Sequence, residues 1–269
     1  MTLSLRDVAY RYAGSASEVL RNLSLTLEPG RVLGVVGAND AGKSTLCLVA
    51  AGLAPATIGG ELRGEVQIDE LATRGARPDA LAQRCGVLFQ NPSTQLSGTS
   101  PTVWEEVAFG PRNLGMPLDD VIERVGWALD AVGVSPLAER DPERLSGGQA
   151  QLVALAGVLA LRPAYLLLDE PTSQLDPLGT NLVGKAIAEL TSRTGTGVLL
   201  VEHKTDLLAS IADDVAVLAD GELVLMGPAS TTLADPRLDG WGIEPPSAVR
   251  LARAAASAGV EIPDEDVAA

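Results

Sequence analysis

The chain has 269 residues, 46% hydrophobic and 20% charged, a balance that belongs to a folded globular protein and excludes a disordered one. A net charge of −15 is repelled by phosphate backbones and by anionic lipid, which argues against nucleic acid as the main partner and against direct docking on an anionic membrane surface. Aromatics reach only 3%, so the core has to be built from Ala, Val and Leu. The longest strongly apolar stretch, Leu152 to Leu161, is stopped by Arg162 and Pro163 and is too short to cross a bilayer. The first residues show no basic end before an apolar run, so no secretory signal is expected. Cys47 and Cys85 lack metal-ligand spacing, and a reducing, cytoplasmic location is the default.

In chain order, residues 3–12 (LSLRDVAYRY) and 19–27 (VLRNLSLTL) alternate apolar with polar, the period of half-buried strands. Residues 30–37 (GRVLGVVG) form a short apolar run bracketed by glycine, as in a strand buried on both faces. A helix is predicted from Lys43 to near Gly52, then strands at 64–69 (GEVQID) and 85–90 (CGVLFQ). From Thr102 to about Gly133 the spacing turns helical and the charge dense, which predicts a helical subdomain. A further helix is predicted over 147–161. Residues 164–171 (AYLLLDEP), 197–203 (GVLLVEH) and 213–220 (DDVAVLAD) read as buried strands separated by helical segments, with a closing strand at 221–227. That alternation predicts an α/β core with parallel strands.

Residues 37–45 (GANDAGKST) follow a buried strand and open a helix, the setting of a phosphate-binding P-loop. Its glycines let backbone N–H groups curl around phosphate oxygens, and the helix start adds its positive dipole end. Gly37, Asn39, Gly42, Lys43, Ser44 and Thr45 are the expected nucleotide contacts, with Lys43 on the β- and γ-phosphates and Ser44 on Mg²⁺. The run at 165–171 ends a buried strand with two acids. Asp169 is expected to hold Mg²⁺ and Glu170 to position the attacking water; alone, the pair would serve equally well as a helix cap. Residues 145–149 (LSGGQ) place Ser146, Gly147, Gly148 and Gln149 at a helix start, a second anion site in a chain that already has one. Two anion sites and one nucleotide make sense if the second serves a neighbour's nucleotide. His203, the only histidine, is either a hydrogen-bonded structural residue or a functional one whose partners lie elsewhere.

Taken together, these residues resemble the nucleotide-binding subunit of an ATP-binding cassette transporter, over roughly residues 3–228. LSGGQ matches that family's signature, and the P-loop, LLLDEP, Ser173–Asp176 and Glu202–His203 stand in the family's order. The resemblance implies an α/β P-loop ATPase fold with a mixed sheet, an antiparallel β subdomain at the N-terminus and an inserted α-helical subdomain at about 92–160. It implies ATP and Mg²⁺ as ligands, Tyr12 stacked on adenine, Gln90 as the catalytic and metal-contacting Q-loop residue, and His203 as the switch histidine on the γ-phosphate. Two cassettes, like or unlike, would sandwich two ATP molecules head to tail, each site using one chain's P-loop and the other's LSGGQ.

Residues 87–96 and 102–117, with 201–228, further resemble the energy-coupling factor ATPases, which drive uptake of vitamins and of cobalt or nickel ions. That resemblance implies a transmembrane coupling subunit and a substrate-binding membrane subunit as partners, and a peripheral place on the inner face of the membrane. Segment 229–269 is similar to that group's C-terminal segment. Its helix-spaced stretch 247–259, with Val249, Ala252 and Ala256 on one side, either packs on the other subunit or is a solvated tail. Glu105 and Glu106 either accept basic side chains of the coupling subunit or are solvated helix charges. Two positions depart from the family: Asp40 stands at a usual glycine and Leu152 at a usual arginine, so the ATP affinity is in question. The competing readings are another ABC importer or exporter, or a soluble cassette ATPase outside transport.

Overall fold

The computed structural model describes residues 2–259. Strand β1 (Leu3–Arg11) pairs antiparallel with β2 (Leu20–Leu27), whose Leu20, Leu23, Leu25 and Leu27 are buried while Ser24 and Thr26 face out. β1 bulges at Asp7, where φ is +49° and the register with its neighbours shifts, so its inward face resumes at Val8. β3 (Val32–Val36) leads through the glycine-rich turn into helix α1 (Lys43–Ala50). β4 (Glu61–Ile68) starts three residues before the predicted strand and, with β5 (Leu71–Ala72), completes an antiparallel sheet in the order β2-β1-β4-β5.

After a short helix α2 (Pro78–Ala82), β6 (Cys85–Leu88) enters a second sheet. Helices α3 (Val103–Asn113), α4 (Leu118–Ala131) and α5 (Gly147–Leu161) follow with no strand between them. Then come β7 (Tyr165–Asp169), α6 (Pro177–Thr194), β8 (Gly197–Val201), α7 (Thr205–Ile211) and β9 (Asp214–Ala219). β10 (Glu222–Pro228), α8 (Ala229–Thr232) and α9 (Ser247–Ala258) close the described chain. The second sheet runs β10-β9-β3-β8-β7-β6, parallel throughout except for the edge strand β10, and is mixed as the sequence predicted.

Every inner strand of this sheet is buried on both faces, and the pleat divides its side chains between two cores. Val32, Leu166, Leu168, Val198, Leu200 and Val215 join the core shared with helices α3 to α8, while Leu33, Val35, Leu167, Leu199, Val201 and Ala216 join the core shared with α1 and the antiparallel sheet. The apolar run at 152–161 has its reason here: α5 is packed against α3, α4 and β6, and such a helix is apolar almost all round. Trp127 of α4 lies between Arg162 and Arg193, 5.2 and 5.7 Å from its ring centre, and donates to Glu189 of α6 at 2.8 Å. This joint ties the helical layer to the helix behind the sheet.

α3 runs through Pro111 to Asn113, within the stretch predicted to be helical. No residue of α9 is buried; Val249 is half-covered, and Ala252 and Ala256 are exposed. Residues 260–269 of the expected C-terminal segment lie outside the described residues. Among the described residues, no helix is long and apolar enough to cross a membrane.

Candidate functional site

The parallel neighbours β3, β8, β7 and β6 end on the same side of their sheet, the edge where open α/β sheets bind ligands. β3 delivers residues 37–45, β6 delivers Gln90, β7 delivers Asp169 and Glu170, and β8 delivers Glu202 and His203. Gly37 is required by packing, because an added Cβ would run into the Leu218 carbonyl. Asp40 sits in the left-handed region, φ +63°, which Asp tolerates better than most residues. Gly42 starts α1 with no side-chain cap, which leaves the helix's first N–H groups open to an anion.

Lys43 is buried, and its Nζ donates to the carbonyls of Gly37 (2.9 Å) and Ala38 (2.8 Å). Burial lowers its pKa, against the charges of Glu170, Asp169 and Asp40, which hold it up. Around this turn lies a cavity of about 610 Å³, lined by Tyr12, Asn39, Asp40, Gly42, Lys43, Ser44, Thr45, Gln90 and Glu170 with Val19. Tyr12 hydrogen-bonds through its hydroxyl with that of Thr45 (3.0 Å) and meets Tyr10 edge to face at 5.0 Å.

Asp169 is 6% exposed, and its Oδ1 has no hydrogen-bond partner. Burial raises its pKa most; hydrogen bonding from Ser44 opposes the rise, repulsion from Glu170 adds to it, and Lys43 and His203 pull it back. A buried carboxylate oxygen without a partner, beside a serine hydroxyl and a phosphate-type turn, suits a hard divalent cation. Glu170 has φ +50°, a conformation that costs a non-glycine residue about 1–2 kcal/mol. Its carboxylate accepts from Gln90 Nε2 at 2.8 Å and lies 3.0 Å from His203 Nε2. Residues 80 and 33 positions away in the chain thus fix one carboxylate at the cavity's edge. Such a group can orient a water and take its proton.

The signature residues lie elsewhere. Ser146 caps α5 in a reciprocal box: Gln149 N–H donates to Ser146 Oγ (3.4 Å), and Ser146 N–H donates to Gln149 Oε1 (3.1 Å). None of residues 146–149 lines the 610 Å³ cavity. The fold therefore brings together Tyr12, residues 37–45, Gln90, Asp169, Glu170 and His203, and leaves Ser146, Gly147, Gly148 and Gln149 on a separate exposed edge.

Two side chains take roles the sequence did not disclose. Glu202 is 2% exposed and accepts from Thr172 N–H and Oγ1 and from the N–H groups of His203 and Lys204, so it braces the turn after β7 against the turn after β8. The sequence marks it only as an acid ending an apolar strand and as the first half of the Glu202–His203 match, neither of which names its partners. Glu106 corrects an expectation: it is buried, and its carboxylate accepts from Ser97 N–H (2.5 Å) and Ser97 Oγ (2.6 Å). It shapes the loop before α3 and is unavailable to a partner's basic side chains, while Glu105 serves the start of α3 through Thr102.

The ABC transporter family model matches residues 20–173. The energy-coupling factor transporter ATP-binding protein of Methanothermobacter thermautotrophicus is 42% identical over 228 residues, 84% of this chain and 70% of that protein. Among solved structures, cbiO1 of Clostridium perfringens, part of the ABC transporter complex cbiONQ, superposes with a TM-score of 0.77. It is 28% identical and covers 96% of this chain and 98% of its own. A dimeric ATP-binding cassette, solved in a post-hydrolysis state with ADP and Pi, gives a TM-score of 0.74 at 26% identity, over 85% of this chain and 99% of its own.

Proposed function

This chain belongs to the ABC transporter family as an ATP-binding, ATP-hydrolysing subunit, and on that premise we propose that it powers uptake of a micronutrient, a vitamin or a transition-metal ion. Its energy-coupling factor and cbiO1 relatives support that direction and cargo class. Residues 1–228 are the ATP-binding unit, with the inserted helical part at about 92–160, and 229–269 are a C-terminal segment that contacts the second ATPase subunit. The subunit works on the inner face of the membrane, attached to a transmembrane coupling subunit and through it to a substrate-binding membrane subunit.

Each catalytic site is composite. Lys43 and the N–H groups of residues 38–45 bind and neutralise the phosphates, and Tyr12 stacks on the adenine. Ser44, Asp169 and Gln90 would hold Mg²⁺, a donor set supported by the partnerless Asp169 Oδ1, and the ion would supply charge neutralisation to the phosphates. Glu170 orients the attacking water and accepts its proton, and His203 and Gln90 hold that carboxylate in place and meet the γ-phosphate. Ser146, Gly147, Gly148 and Gln149 of a second chain close the site over the γ-phosphate. ATP thus joins two subunits, and its hydrolysis removes the charge-assisted contacts between them.

The observation that carries this reading is the double grip of Gln90 and His203 on Glu170 beside a P-loop cavity that the chain's own signature does not reach. The test is Glu170→Gln. It should still bind ATP, accumulate an ATP-dependent dimer in size-exclusion chromatography, and lose about 10²-fold or more in turnover. Turnover near wild type would remove Glu170 as the base. Purification from membranes with a small apolar membrane subunit would support the uptake reading, and purification with ribosomes would overturn it.

A further inference from the structure

Lys204 follows His203 directly and carries no role in the site described above. It is half-buried, and its ammonium donates all three of its hydrogens: to the carbonyls of Thr172 (2.9 Å) and Leu175 (3.2 Å) and to Thr180 Oγ1 on α6 (2.8 Å). All three acceptors are neutral oxygens, so the side chain acts as a three-point tie and not as half of an ion pair. On the other side of His203, Glu202 grips Thr172 through its N–H and hydroxyl. The imidazole that touches Glu170 is thus held between two braces that both end on the turn 172–175.

That turn has a second neighbour. Gln174 packs onto the first turn of α5: a side chain at Gly147 would collide with the Gln174 amide oxygen, and one at Gly148 would crowd the Gln174 carbonyl at 3.1 Å. Close contacts therefore run from Glu170 through His203 and Lys204 to the turn 172–175, and from Gln174 to the signature. Discrete packed contacts of this kind carry coupling between sites.

We propose that Lys204 is a positioning residue that locks the switch histidine of this chain's own site to the signature this chain offers its partner, so that the two composite sites report on each other. The proposal rests on the composite-site reading above. The test uses dimers of this chain isolated through two different tags, with Glu170→Gln in one copy so that only one site turns over. Lys204→Met is then placed in either copy.

In the copy with the working Glu170, turnover should fall about tenfold, with KM for ATP within about twofold. In the silent copy, which supplies only its signature to the working site, turnover should still fall about threefold or more, and Lys204→Arg there should recover most of it. Unchanged turnover with Lys204→Met in the silent copy overturns the proposal. Ser146→Ala in the silent copy separates the two failures: if it too has no effect, the composite reading itself is wrong. Hydrogen exchange on the undimerised chain gives a second readout. Lys204→Met should speed exchange of the 146–150 amides and His203→Ala should not; equal exchange in Lys204→Met and wild type also overturns the proposal.

Discussion

The turns 37–42 and 145–148 are both glycine-bearing loops that open a helix, yet they are built for different tasks. At the first, Gly42 leaves the helix uncapped, and a buried lysine and three acids stand around it. At the second, the chain caps its own helix with Ser146 and Gln149, on an exposed edge away from the catalytic carboxylates. In that box Ser146 Oγ is an acceptor, so its own hydrogen remains free to donate outward. In the function proposed above, the same local motif serves as a phosphate cradle in one place and as a lid for a second molecule's site in the other. What surrounds a helix start decides its chemistry, more than the start itself.

The comparison can be broken most severely at Lys43. Lys43→Met should cost about 10²-fold or more in turnover and weaken ATP binding, measured by a coupled ATPase assay and nucleotide titration. Next is Ser146→Ala. It should lower stability by about 1 kcal/mol through the lost cap, read by denaturant unfolding, and reduce turnover only at the site whose lid it forms. An equal loss at a site whose lid comes from a wild-type chain would collapse the distinction between the turns.

A subtler effect belongs to Asp169. Burial raises its pKa in the folded state, so folding favours its protonated form more than the unfolded chain does. The stability this contributes is fully present below the ordinary Asp value of 3.8 and is lost as pH climbs through the raised value. Without divalent ions, Asp169→Asn should therefore gain on wild type in thermal stability as pH rises from acid to neutral, by about 1 kcal/mol or more, while losing Mg²⁺-dependent turnover. The smallest expected change is at Asp40. Asp40→Asn removes an anion from the cradle and should tighten ATP binding a few-fold, about 1 kcal/mol at low salt and less at high salt. Asp40→Gly should do the same, since the backbone angle suits either residue.

Much of this was readable from the residues. The strands betray themselves by period, and the P-loop by glycine, lysine and serine in the right setting. That Gln90, Glu170 and His203 converge follows once β6, β7 and β8 are known to be neighbours, and the order of strands in a sheet is a tertiary fact that no local pattern carries. Glu106 was misread because an acid on an amphipathic helix faces water or a loop according to how that loop folds, and Ser97 folds back to meet it. The bracing contacts of Lys204 and Glu202 were not legible for a similar reason: each finds partners about 30 residues away.

Because Gln90, Glu170 and His203 hang from consecutive strands, their separation is governed by a backbone ladder of about 4.8 Å per rung and not by side-chain fit. The ladder works as a ruler. Mutations that remodel the outer helices for a new docking partner leave its graduations untouched, so the engine's timing can be inherited unchanged while its attachments evolve.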